Sequence, residues 1–169
     1  MKAIGILVVV FLIGGQICFA QKLSSKERKE QKAAEIEELV ESGNFVFIAR
    51  YASPMSGPKI DLTSIYDLKF KGDSVEAWLP YFGRAYQAPY ADRDGGIKFK
   101  AKVDHIETKF NDKKKSYQVN FEVKEQRDTY QMNLIVGLSG YANLSVTMTH
   151  RQSISFSGVV EASAVDEKK

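Results

Sequence analysis

A chain of 169 residues with 24 Lys and Arg against 21 Asp and Glu, a net charge of +3, has room for one ordinary domain. So thin a basic margin excludes a nucleic-acid partner, which needs a concentrated cationic face. A single cysteine, Cys18, excludes an internal disulfide or a thiolate metal cluster.

The chain opens with Met1-Lys2, an apolar run from Ala3 to Ile13, a Gly14-Gly15 break and Cys18-Phe19-Ala20 before polar Gln21. That order of a charged start, a short apolar stretch and a small-x-small site predicts a signal peptide over residues 1–20. The run is too short for a membrane anchor, and Ile17 stands where a lipoprotein signal needs a small residue. The expected mature chain, residues 21–169, is then an exported, cysteine-free single domain without a transmembrane segment.

A helix is predicted over residues 25–42. Ser24 and Glu27 form a capping box, Gly43 supplies the stop, and Ala33, Ile36, Leu39 and Val40 give only the second half an apolar face. After Gly43 the period falls to two. Phe45, Phe47, Ala49 and Tyr51 form a first strand, Ser53 to Pro58 breaks it, and a loop follows to about Thr63. Tyr66, Leu68 and Phe70 turn at Gly72-Asp73 into Val75, Ala77 and Leu79, a hairpin signal.

Trp78 to Tyr86 then packs aromatic and guanidinium groups around a Pro and a Gly. Beyond Asp94-Gly95-Gly96, the strand of Ile97, Phe99, Ala101 and Val103 carries Lys98, Lys100 and Lys102 on its wet face. Residues 105–110 are expected to extend this strand or pair with it. Lys113-Lys114-Lys115 marks a solvated hairpin tip. Three more alternating strands follow from Tyr117, Tyr130 and Leu144, and a last from Ile154 to Val160. Short links between them require antiparallel neighbours. The fold class is α+β, mostly β: a strongly curved antiparallel meander or open β-barrel of seven to nine strands with one N-terminal helix, its interior either packed or holding one small ligand.

The candidate ligand-binding residues are Trp78, Tyr81, Phe82, Arg84, Tyr86 and Tyr90, an aromatic platform on an irregular connection, with Arg84 as a carboxylate clamp. The competing reading makes this segment a satellite core closing one end of the barrel, with Arg84 bonded to loop carbonyls. Arg151, at a strand break beside His150, is placed to meet the Arg84 loop from the same end and completes the candidate set. His105 and His150 lack a third ligand at metal-binding spacing. Residues 92–95 start like a calcium loop but fail at Gly96 and Val103. No nucleophile elbow or catalytic triad order is present, Glu76, Glu107 and Glu122 belong on outward strand positions, and no catalytic residue, metal or cofactor is assigned.

Leu79-Pro80-Tyr81-Phe82-Gly83-Arg84-Ala85, Ser139 to Leu144 and Arg151 to Gly158 together resemble the bacterial domain-of-unknown-function family 4251, found mainly in Bacteroidetes. The likeness covers nearly all of the mature chain. It implies an exported cell-envelope protein and supplies no activity. In that bacterial group Asp73-Ser74-Val75 fits an O-glycosylation pattern, which makes Ser74 a modification candidate. Gly140 and Gly158 are read as points of turning or close backbone approach. The functional expectation is a periplasmic binding or interaction domain with a non-covalent site at residues 78–90. The partner is then a small ligand or an envelope protein. The rival is a packed envelope scaffold that binds another protein, and a hydrolase ranks below both.

Overall fold

The computed structural model describes residues 24–86, 95–125 and 128–163. Residues 1–20, where a signal peptide is expected, Tyr90 and residues 92–94 lie outside the described residues. No helix among the described residues is long and apolar enough to cross a membrane.

Helix α1, Ser25–Ser42, starts at a complete capping box. Ser24 Oγ accepts from the Glu27 backbone N–H at 3.2 Å and Glu27 Oε2 accepts from the Ser24 N–H at 2.7 Å. It ends at Gly43, left-handed at φ 65°. Ile36 and Val40 are buried and Leu39 packs beside them, so only the second half of the helix docks.

Nine strands follow: β1 Phe45–Pro54, β2 Ile60–Lys71, β3 Ser74–Leu79, β4 Ile97–Lys102, β5 Ile106–Asn111, β6 Ser116–Lys124, β7 Thr129–Gly137, β8 Tyr141–Met148 and β9 Ile154–Ala162. All pairings are antiparallel in one sheet, a strongly curled half-barrel, with the order β4-β3-β2-β1-β9-β8-β7-β6-β5. The sheet is thus two meanders joined where the first strand pairs with the last.

Three local expectations are corrected. Residues 106–111 do not pair with the strand before them. β4 and β5 are the two opposite edges, and β5 pairs only with β6. The link of residues 103–105 crosses from one edge to the other because curling brings the edges together at that end, where the Val103 N–H reaches the Asp73 carbonyl at 2.8 Å. The loop after Pro58 is also shorter than its polar residues suggest, since β2 already begins at Ile60 and pairs with Ala52. Finally, Trp78 belongs to β3 and not to the irregular connection. Val75, Ala77 and Leu79 point inward, so the pleat turns Trp78 out.

Curvature has a visible source. Register shifts between Ala49 and Tyr51 against both neighbours, which makes Arg50 the extra residue of a bulge. Opposite it, a Cβ on Gly158 would stand 1.9 Å from the Ile48 carbonyl oxygen, so only glycine lets β9 lie this close to β1. Gly140, at φ 85°, turns β7 into β8 beneath Ile36.

The interior is packed with side chains. Phe70 of β2 meets Phe121 of β6 edge-on at 5.4 Å, and Phe99 of β4 stacks on Tyr130 of β7 at 5.4 Å. These strands are far apart in the sheet order, so their rings touch only because the sheet folds over itself. Phe45, Phe47, Phe156, Leu134 and Leu144 fill the space between. At about 1.5–3 kcal/mol for each large side chain removed from water, this cluster is the main source of stability.

Candidate functional site

The helix covers one end of the half-barrel, beside the Gly72 and Gly140 turns. The other end is closed by residues 80–86, which leave β3 at Leu79 and lie across the connection between β8 and β9. Pro80 cannot continue the ladder. Tyr81 folds back so that its hydroxyl is 3.0 Å from both the Arg84 and the Gln152 carbonyl oxygens. Gly83 makes the fold-back possible, because a Cβ there would lie 2.4 Å from that hydroxyl.

The backbone then pairs like a short strand. Ala85 bridges Arg151, the Tyr86 N–H donates to the His150 carbonyl at 2.9 Å, and the Gln152 N–H donates to the Arg84 carbonyl at 3.1 Å. The Arg84 N–H also donates to Gln152 Oε1 at 3.3 Å. The expectation that Arg151 and the Arg84 segment meet at one end therefore describes this geometry.

Beneath the segment lies a polar cluster. Arg151 Nε donates to Asp128 Oδ2 at 3.1 Å, Nη2 to the Tyr130 hydroxyl at 2.7 Å, and Nη1 to the Gly95 carbonyl at 3.0 Å. Its guanidinium lies 5.0 Å from the centre of the Tyr81 ring. Asp128, only 7% exposed, accepts on Oδ1 from the backbone N–H groups of Thr149 at 2.8 Å, Thr129 at 3.1 Å and His150 at 3.3 Å. A carboxylate is tolerated in a buried place when its acceptors are satisfied, and Asp128 accepts four hydrogen bonds here, one of them from the half-buried Arg151. Burial pushes the Tyr81 and Tyr130 phenols above their usual range, with the Arg151 charge opposing the shift in both. Both hydroxyls therefore stay protonated.

The guanidinium that binds loop carbonyls is that of Arg151, where the sequence pointed to Arg84. Arg84 contributes its backbone to the clasp and is itself exposed. Phe82 and Tyr86 are 38% and 67% exposed on the same segment. Trp78 stands apart on the outer face of β3, with Lys98 Nζ 4.1 Å from its ring centre. Asp128 was missed by sequence reasoning, since an acidic residue in a short turn is ordinary and nothing local marks it as buried. Ser74, half-buried, opens β3 opposite Lys71 and Lys102. No cluster of three or more potential metal ligands occurs among the described residues.

These features define a class: a helix-capped antiparallel half-barrel whose second end is closed by a clasp resting on a buried aspartate and its half-buried arginine partner. The chain belongs to the family of the domain of unknown function DUF4251, whose model matches residues 27–160. Its fold is similar to the crystal structure of a DUF4251 family protein from Bacteroides eggerthii DSM 20697. The TM-score is 0.60 at 14% identity, over 78% of this chain and 88% of that one. Among curated proteins, none matches this chain.

Proposed function

We propose that this chain is an exported, non-enzymatic binding domain of the bacterial cell envelope that holds another protein through the rim formed by Phe82, Arg84 and Tyr86. One observation carries the reading. The clasp fixes the backbone of residues 84–86 on the 150–152 segment and leaves those three side chains facing solvent. Aromatic side chains and arginine on a rigid backbone form interface hot spots, because little conformational entropy is lost when they dock.

The packed interior favours an outer recognition surface over a ligand held inside the barrel. It also draws the binding-domain and scaffold readings together. A small ligand clamped jointly by Arg84 and Arg151 has less support, since Arg151 already serves Asp128, Tyr130 and Gly95. Export is supported by the order of residues 1–21.

Photo-crosslinking from position 86 in the native host tests the rim. A discrete protein adduct that is lost in Arg84→Glu is expected. Absence of adducts from positions 82, 84 and 86 alike would sink the proposal. The mass of the protein recovered from the envelope fraction should correspond to a chain beginning at Gln21.

A further inference from the structure

The outward positions of the sheet are not chemically uniform. On β3 and β4 they include Glu76, Lys98, Lys100 and Lys102, the long charged side chains expected of a strand face in water, with Trp78 among them. On β6, β7 and β8 the outward Glu122 and Lys124 lie toward one end and Ile135 and Tyr141 toward the other, while the stretch between carries amides and hydroxyls centred on one row of directly opposed residues: Asn120, Asn133 and Ser145. Asparagine is disfavoured in strands, so two facing each other at the centre of adjacent strands are not explained by strand formation.

These groups are already oriented. Asn133 Nδ2 donates to Asn120 Oδ1, Asn120 Nδ2 donates to Glu107 Oε2 at 3.4 Å, and Gln131 Nε2 donates to Glu122 Oε2 at 3.4 Å. They line an open groove of about 570 Å³ on the outer face, with Ser145 and Thr147 along one wall and His105 at its margin. That volume suits a small ligand.

Charge narrows the choice. The described lining carries two carboxylates, Glu107 and Glu122, and neither Lys nor Arg. Hydrogen bonds from Lys109 and Asn120 hold the Glu107 carboxyl below its usual range. Lys109 and Lys124 pair with the two carboxylates from neighbouring outward positions. Phosphate or carboxylate ligands would meet two carboxylates, and the lysines nearest to them are already engaged in pairing with those carboxylates. A ligand with many neutral hydroxyls fits instead, donating to the carboxylates and accepting from the amides.

We infer that the outer face of β5–β8 is a second recognition site, a groove for neutral saccharides. Hydrogen-bonding side chains held in place before binding reduce the entropy cost that makes sugar recognition weak.

The test is saturation-transfer and nitrogen-15 correlation NMR of the purified protein with N,N′-diacetylchitobiose, cellobiose and maltose, each at millimolar concentration. At least one should bind, with shift changes confined to β5–β8, and with affinity at least about tenfold weaker in both Asn133→Leu and Ser145→Lys, a loss of about 1.4 kcal/mol. Near-ultraviolet circular dichroism confirms that each variant is folded, and Ser145→Lys stands alone if Asn133→Leu is not. Arg84→Glu should bind the sugar unchanged, which separates this site from the rim. No transfer from any of the three disaccharides, or binding that survives both groove variants, overturns the inference.

Discussion

The two ends of the half-barrel solve one problem with opposite chemistry. At the α1 end, Ile36 and Val40 lie over the core and the seal is apolar, directionless and adjustable in register. At the other end, hydrogen bonds of fixed length and angle hold residues 81–86 on the 150–152 segment, and Asp128 fixes that segment in turn through the Thr149 and His150 N–H groups and the Arg151 side chain. An apolar seal excludes water but tolerates sliding, whereas a hydrogen-bonded ion pair that engages all three guanidinium nitrogens specifies one position. The end that specifies position also carries the exposed rim, which is where a recognition surface needs it.

Removing one partner of this ion pair should break this contrast most severely. Asp128→Ala leaves the half-buried Arg151 charge without its partner and three backbone N–H groups without their acceptor, and is expected to cost about 4 kcal/mol in denaturant unfolding. The double replacement Asp128→Leu with Arg151→Met should cost markedly less than Asp128→Ala alone. It should nevertheless speed amide exchange at residues 84–86, which isolates the positioning role from stability.

Ile36→Ala at the helix end comes next, at about 3 kcal/mol by the same measurement, and should leave exchange at residues 84–86 unchanged. A smaller effect is expected from Tyr81→Phe, about 1 kcal/mol, because it removes one hydroxyl whose acceptors are backbone carbonyls at the clasp.

Alkaline pH gives the mildest comparison. Tyr81 and Tyr130 at the clasp are raised above the ordinary 10.0 first by burial, and Tyr117 near the helix is raised by burial and by Glu37 and Glu41. A phenol whose folded value is raised keeps its contribution below the unfolded value and loses it as pH climbs through the folded one. Stability should therefore be flat below pH 10 on this account and fall above it, with the phenolate absorbance of these three tyrosines rising after that of exposed tyrosines.

The helix end was legible in the sequence because its signals are local: Ser24 with Glu27, Gly43, and apolar residues at helical spacing. Alternation likewise revealed the strands and their inward faces. Strand order was less legible, since alternation records which face is buried and not which neighbour is paired. Nothing in the pattern of Phe45 to Tyr51 announces Ile154 to Val160 as its partner. The clasp fell between these cases. Arg151 and the Arg84 segment could be assigned to one end from the strand break beside His150, but the choice of Arg151 over Arg84 as the paired cation depends on Asp128, a distant residue in an ordinary turn. Trp78 was decidable, for the inward set Val75, Ala77 and Leu79 already required it to face out.

The pairing of β1 with β9 has a consequence for the order in which the molecule can form. These strands occupy the middle of the sheet, yet they are its first and last in the chain. Each flanking meander can zip up from nearby residues, but the seam between them waits for the final strand and must close a loop of nearly the whole domain. Closing contacts of such long sequence separation is slow. A chain shortened by its last strand would thus lose its central joint rather than an edge, leaving two incomplete halves with no strand pairing between them.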